Sequence, residues 1–261
     1  MTLLPQLRSI NRAWAQKGFS RLLESVNHLL WPTICLGCRT RKDELDTFLC
    51  DDCWRDLMAA CGGDYCPHCG RQASRFGRIG DRCGDCQDRQ VSFDGIARAG
   101  VYGGSLRQII LSMKFQDRGE LAEPLVRILN AALQSASFAD FIDWFVPVPL
   151  HWRRRLSRGF NQSRMLAKGL VHPSATVNTD LVRIRNTPTQ WSLDPAQRRR
   201  NVRGAFAVRH GHKFSGKRCC IVDDITTSNA TLNECAAVLR QAGADKVYAL
   251  VVAVAMQDRD E

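Results

Sequence analysis

The spacing of apolar positions changes several times along the chain, and each change marks an element. Leu22, Leu23, Val26, Leu29 and Leu30 recur at helical spacing, and Trp31-Pro32 ends that stretch. From Val91 the composition changes. Phe93 to Tyr102 reads as a strand broken by Gly103-Gly104. Leu106, Ile109, Ile110 and Met113 stripe one helix, followed by Lys114-Phe115, and Leu121, Leu125, Ile128, Leu129 and Leu133 stripe another. Phe141 to Val148 is an apolar strand ending among Pro147 and Pro149, and a helix built on Met165, Leu166 and Leu170 comes later. Arg183 to Arg203 reads as a long loop with a short helix around Ala196 to Val202. Cys219, Cys220, Ile221 and Val222 form an apolar run suited to a buried parallel strand. A helix with Leu232, Cys235, Ala236 and Leu239 on one face and a strand from Lys246 to Ala255 complete a βαβ-like end.

The chemistry concentrates where the strand at Cys219–Val222 stops. Asp223 and Asp224 follow it, then Thr226, Thr227, Ser228, Asn229 and Thr231 lead into the helix. Ligands of open α/β sheets sit at the carboxyl ends of strands. A loop entering a helix presents free N–H groups, and the helix dipole favours an anion there. One phosphate fits such a loop. Adjacent strand residues point to opposite faces, so the two aspartates share a site only if the chain turns between them. Paired carboxylates beside a phosphate suit a sugar diol, or Mg²⁺ held together with phosphate oxygens.

Nine of the twelve cysteines lie between Cys35 and Cys86. Eight of them form C-x-x-C pairs: Cys35/Cys38, Cys50/Cys53, Cys66/Cys69 and Cys83/Cys86. Two thiolates on a tight turn converge as tetrahedral zinc requires, so two structural zinc ions are expected. Sequential pairing is the simplest assignment, and an interleaved one, first pair with third, also satisfies the count. Cys61 and His68 are left over. So small a ribbon has little core of its own, and metal binding should supply most of its folding free energy. Three segments follow: an N-terminal helical segment at 1–32, a double zinc ribbon at 33–90 and an α/β domain at 91–261.

Charge sharpens the picture. The 261 residues carry a formal net charge of +11, which favours polyanionic partners. His151 to Arg164 reads as a loop between a strand and a helix and holds five arginines and no acid, with Trp152 and Phe160 among them. Arg183 to Arg203 holds six arginines and Trp191. Arginine interleaved with aromatics suits single-stranded nucleic acid, with charges for phosphates and rings for bases. The residues expected to contact pyrophosphate or nucleic acid are Arg153, Arg154, Arg155, Arg158, Gly159, Phe160, Asn161, Gln162, Arg198, Arg199 and Arg200. No apolar run approaches the roughly 18 residues of a membrane span, so no membrane insertion is expected. With no secretion signal at the N-terminus, the expected location is cytoplasmic.

The stretch from Cys219 to Leu232 resembles the phosphoribosyl-pyrophosphate loop of type I phosphoribosyltransferases. That resemblance implies that Asp223 and Asp224 hold the ribose hydroxyls and act at the catalytic position. By the same resemblance Thr226, Thr227, Ser228, Asn229, Ala230 and Thr231 would hold the 5-phosphate. Asn229 stands where that family usually has glycine, and asparagine tolerates the left-handed region better than most residues. The whole pattern is similar to the ComF family, which includes the GntX-like proteins. It rests on the four C-x-x-C pairs, Lys114-Phe115, Val146-Pro147-Val148-Pro149-Leu150, Arg158-Gly159-Phe160-Asn161-Gln162, Gln190 to Leu193 with Arg200-Asn201, and Asp223-Asp224. This resemblance implies a zinc ribbon followed by a mostly parallel, type I phosphoribosyltransferase-like α/β domain. It further implies DNA uptake and natural transformation, with single-stranded DNA as partner and DNA-uptake or recombination proteins as possible ones. Two readings of the pocket stand. Either it is kept for binding, or it transfers a phosphoribosyl group from phosphoribosyl pyrophosphate, with Mg²⁺, to an acceptor the sequence does not identify.

Overall fold

A run that is apolar at every position has to be covered on both sides, and 219–222 and 249–254 are such runs. The computed structural model describes residues 34–42, 48–86, 91–115, 122–187 and 194–255. The helix expected before Trp31, Leu121 and the 190–193 segment lie outside them. In chain order the elements are helix α1 (Asp51–Cys61), strands β1 (Arg78–Ile79), β2 (Arg82–Cys83) and β3 (Gly95–Val101), and helices α2 (Gly104–Phe115) and α3 (Ala122–Gln134). Strand β4 (Trp144–Pro147), helices α4 (Trp152–Arg158) and α5 (Gln162–Gly169), and strands β5 (Thr176–Val177) and β6 (Leu181–Arg183) follow. Helix α6 (Pro195–Val202), strands β7 (Phe206–Val208) and β8 (Arg218–Thr226), helix α7 (Ala230–Gln241) and strand β9 (Lys246–Val254) complete them.

The main sheet has five strands in the order β3-β9-β8-β4-β5, and every pair is parallel. The two apolar runs are its centre. Side-chain alternation sends Cys220, Val222, Leu250 and Val252 to one face, against Leu106, Ile109, Leu125, Leu129 and Leu166 of α2, α3 and α5. Cys219, Ile221, Ala249 and Val251 go to the other, against Leu232, Cys235 and Leu239 of α7 and Phe206 of the antiparallel β6–β7 hairpin. All three cysteines expected in the core, Cys219, Cys220 and Cys235, are fully buried.

One expectation needs correction. The basic stretch 151–164, read as a loop, is mostly helical. Trp152–Arg158 forms α4, Gly159 stops it at φ 75, and the Asn161 side chain accepts from Ser163 N at 3.1 Å to cap α5. Charged residues set no apolar period here, so the helix left no stripe in the sequence. The short helix expected at 196–202 is α6, and Asp194 and Gln197 give it a reciprocal cap behind Pro195.

The cysteine-rich region is docked on the sheet. Leu57 and Cys53 of α1 are buried in the same core as α2 and α3. The carboxylate of Asp56 accepts from Ser105 N at 2.6 Å, and that bond holds the acid below its ordinary range. At Gly100 of β3 an added Cβ would lie 2.7 Å from the Ala60 carbonyl oxygen and 2.9 Å from Leu106, so only glycine lets α1 come this close. Farther along, Ile96 N donates to the Pro67 carbonyl at 2.8 Å.

At the amino ends of β4 and β8, Arg218 grips Asp143 through Nη2–Oδ1 at 2.9 Å and Nε–Oδ2 at 3.2 Å. Hydrogen bonds from Arg218 hold the Asp143 carboxyl at about 2, below the roughly 3.9 of an unfolded chain. A depressed carboxyl stabilises the fold above its unfolded pKa and loses that contribution as pH falls towards its folded one. Asp143→Asn should therefore lower the thermal midpoint at neutral pH, and the gap to wild type should close between about pH 4 and 2. A gap of constant size across that range would contradict this role.

Candidate functional site

The cysteines resolve into two groups, Cys35/Cys38/Cys50/Cys53 and Cys66/Cys69/Cys83/Cys86, each with its sulfurs within 4.8 Å of one another. Pairing is thus sequential, and the interleaved alternative is excluded. Sulfur pairs such as Cys38–Cys50 at 3.7 Å and Cys66–Cys86 at 3.6 Å fit a zinc–thiolate tetrahedron, whose edge is about 3.8 Å for bonds near 2.3 Å. All-sulfur donor sets without a spare position fit structural zinc, and two such ions account for both groups. The two knuckles repeat. Cys35 N donates to Thr40 O at 2.9 Å and Cys66 N to Arg71 O at 2.8 Å. Ile34 bridges Arg41 as Tyr65 bridges Gln72. Arg39, at φ 64, occupies the position that Gly70 fills at φ 79. Cys61 and His68 belong to neither group, and burial pushes the Cys61 thiol up to about 11.

The second feature lies at the carboxyl edge of the sheet. The expected turn between the aspartates is absent, because β8 runs on through Thr226. Asp223 Oδ1 accepts from Ser163 Oγ at 2.8 Å and from Asp224 N at 2.9 Å. Asp224 is buried and its Oδ1 accepts from Ile225 N at 2.7 Å. Thr226, Asn229 and Ala230 are buried, while Thr227, Ser228 and Thr231 are half-buried at the start of α7. Asn229 takes the left-handed conformation, φ 58 and ψ 11, which asparagine tolerates better than most residues.

Arginines from three elements converge on this edge. Arg198 of α6 donates to Thr227 Oγ1 at 2.8 Å. Arg154 of α4 donates to the Thr187 carbonyl, and Arg183 of β6 to the Thr187 hydroxyl. Arg183 lies over the Phe206 ring at 5.3 Å. Burial and then the charge of Arg154 lower its pKa, so an anion there would relieve the crowding. Three donors at this edge, Ser228 Oγ, Gln162 Nε2 and Arg183 Nε, are enclosed without a partner among the described residues.

Beside them opens a cleft of about 530 Å³ between α4, α5 and β6. Arg155, Arg164, Lys168, Arg183 and Arg209 line it, with Trp152, Phe160 and Asn161, and no carboxylate does. Trp152 is exposed, with Arg153 over its ring at 5.3 Å. The expected contacts thus separate. Arg155, Gly159, Phe160, Asn161 and Arg198 reach the loop or the cleft, Arg154 bonds to the Thr187 carbonyl beside Arg183, and Arg199 and Arg200 are exposed on α6. Ser163, Arg164, Lys168, Arg183 and Arg209 were missed. Lys168 follows Arg164 by four residues on one helix, a spacing visible in the sequence. Arg209 has no such signal, since only the β6–β7 hairpin brings it there.

A family described as a double zinc ribbon domain matches residues 26–87. DNA utilization protein YhgH of Salmonella typhi is 31% identical over 221 residues, covering 83% of this chain and 94% of that protein. Competence protein F of Haemophilus influenzae is 29% identical, covering 82% of this chain and 93% of that protein. The chain belongs to the ComF family. Competence protein ComFC of Streptococcus pneumoniae is a further member, 26% identical over 79% of this chain and 88% of its own length. Among solved structures, a hypoxanthine phosphoribosyltransferase of Staphylococcus aureus is similar to this ComF-family chain at a TM-score of 0.32 and 12% identity, covering 55% of this chain and 77% of that one.

The purified protein should carry one zinc per four-cysteine group. Cys66→Ser should cut the content from two to one, as read by elemental analysis. Cys53→Ser should do the same and also lower the thermal midpoint, because Cys53 lies in the shared core. Full zinc content in Cys66→Ser would refute the assignment.

Proposed function

We propose that this protein handles single-stranded DNA during uptake or use of incoming DNA, in the cytoplasm, with the cleft between α4, α5 and β6 as the strand-binding surface. The observation that carries this reading is the lining of that cleft: five cations, two aromatic rings and no acid. Cations neutralise strand phosphates and rings stack bases irrespective of sequence. Relatives named for competence and for DNA utilization support it. At the end of β8, the loop Thr226–Thr231 takes one phosphate, of the strand or of phosphoribosyl pyrophosphate, and Asp223, the more exposed of the two aspartates, faces its sugar or a Mg²⁺ ion. The enclosed hydroxyl of Ser228 and the hold of Arg198 on Thr227 support that role.

Anisotropy of labelled single-stranded DNA across a salt series tests the cleft. Wild type should show a steep negative slope, and Arg164→Ala, Lys168→Ala and Arg209→Ala should each reduce it by about 1. Binding that does not depend on salt, or unchanged slopes in all three variants, would remove the cleft from the reading.

The loop also favours a second reading, phosphoribosyl transfer. Pyrophosphate would leave the ribose carbon as an acceptor bonds to it, with an aspartate beside the developing positive charge. Asp223→Asn with Asp224→Asn should weaken Mg²⁺–phosphoribosyl pyrophosphate binding at least tenfold in calorimetry. Turnover of isotope-labelled donor with candidate bases separates transfer from binding.

A further inference from the structure

The loop at the end of β8 is tied to the second ribbon by one side chain. Asn229 Oδ1 accepts from Thr226 Oγ1 at 2.8 Å, and its Nδ2 donates to the carbonyl of Cys69 at 2.9 Å, across 160 residues of sequence. The residue is 8% exposed, so both bonds are shielded from water. The backbone it reaches has little room to adjust. Gly70 sits at φ 79 with its N–H on the Cys66 carbonyl at 2.8 Å, and an added Cβ would meet Val254 at 3.1 Å and Ile96 at 3.3 Å. The position of the Cys69 carbonyl is therefore set by the knuckle, and the knuckle by whatever binds Cys66 and Cys69. No comparable bond joins the first cysteine group to this loop among the described residues.

Where glycine would reach the left-handed conformation freely, this chain uses a residue that also reaches the ribbon. We propose that Asn229 is a positioning residue that couples the second zinc centre, at Cys66, Cys69, Cys83 and Cys86, to the anion-binding loop. Zinc fixes the Cys69 carbonyl, the carbonyl fixes the Asn229 amide, and the amide fixes the N–H groups at the start of α7. This rests on the reading that the loop binds a phosphate. Coupling of this kind is reciprocal, so a ligand in the loop must tighten zinc in the second centre and leave the first unaffected.

The test is transfer of zinc from the full-length protein to a chromogenic chelator, with and without saturating Mg²⁺–phosphoribosyl pyrophosphate. Calorimetry run in parallel establishes whether that ligand binds. In wild type, ligand should slow release of one of the two zinc ions several-fold. In Asn229→Gly, which keeps access to φ > 0 but loses the tether, the ligand should bind more weakly, and at saturation zinc release should be unchanged. Equal slowing in both proteins, or binding without slowing in wild type, overturns the coupling. A loop that binds no ligand is a failure of the phosphate reading, and the ligand-free rates then decide. Asn229→Gly should release the second zinc faster than wild type, and identical rates overturn the tether as well. Hydrogen exchange in wild type gives a second measure that needs no variant. Ligand should protect peptides over 66–86 and not those over 35–42, and protection of both or of neither refutes the proposal.

Discussion

Strand β8 has to be covered on both faces, and the rest of the architecture follows from that. Its residues 219–222 are fully buried, which calls for strands on both edges and helices on both sides. The chain supplies β9 and β4 at the edges, α2, α3 and α5 on one face, and α7 with the β6–β7 hairpin on the other. The same strand then turns polar without ending. Asp223 and Asp224 lie on its last turns of backbone, where α5 and α6 can reach across the sheet edge with Ser163 and Arg198. Burial fixes the strand, and the fixed strand aims the carboxylates.

The ribbons follow a different logic. Neither has a core that would hold it together, so local backbone turns and sulfur geometry define each knuckle. The first then adds Cys35, Cys53 and Leu57 to the sheet's core, while the second presses backbone against β3 through Pro67 and Ile96. Both contacts need small residues, Gly100 in one and Gly70 in the other.

Much of this was legible before any coordinates. Strands and helices announced themselves by apolar spacing, and α7 buries the four residues expected, Leu232, Cys235, Ala236 and Leu239. The cysteine pairs named their metal because C-x-x-C has a geometric reason. The illegible parts are those set by distance in space. Nothing near Asn229 in sequence points to Cys69, and nothing near Arg209 points to Lys168. Helix α4 was hidden for another reason: four of its seven residues are arginine, and charge leaves no buried stripe to read. The aspartate pair was placed correctly at the sheet edge, but the turn expected between them is replaced by a strand that continues and carboxylates that bond to neighbouring N–H groups.

The strand order carries a consequence for how the chain is made. Strand β9 lies between β3 and β8, although it is synthesised after both. Knuckles closed by bonds within six residues can form while synthesis is under way, but β3 gains its sheet partner only some 150 residues later. Through that interval one edge of β3 waits uncovered, the condition in which nascent chains aggregate. A chain cut short before β9 would thus carry closed knuckles on an unclosed sheet.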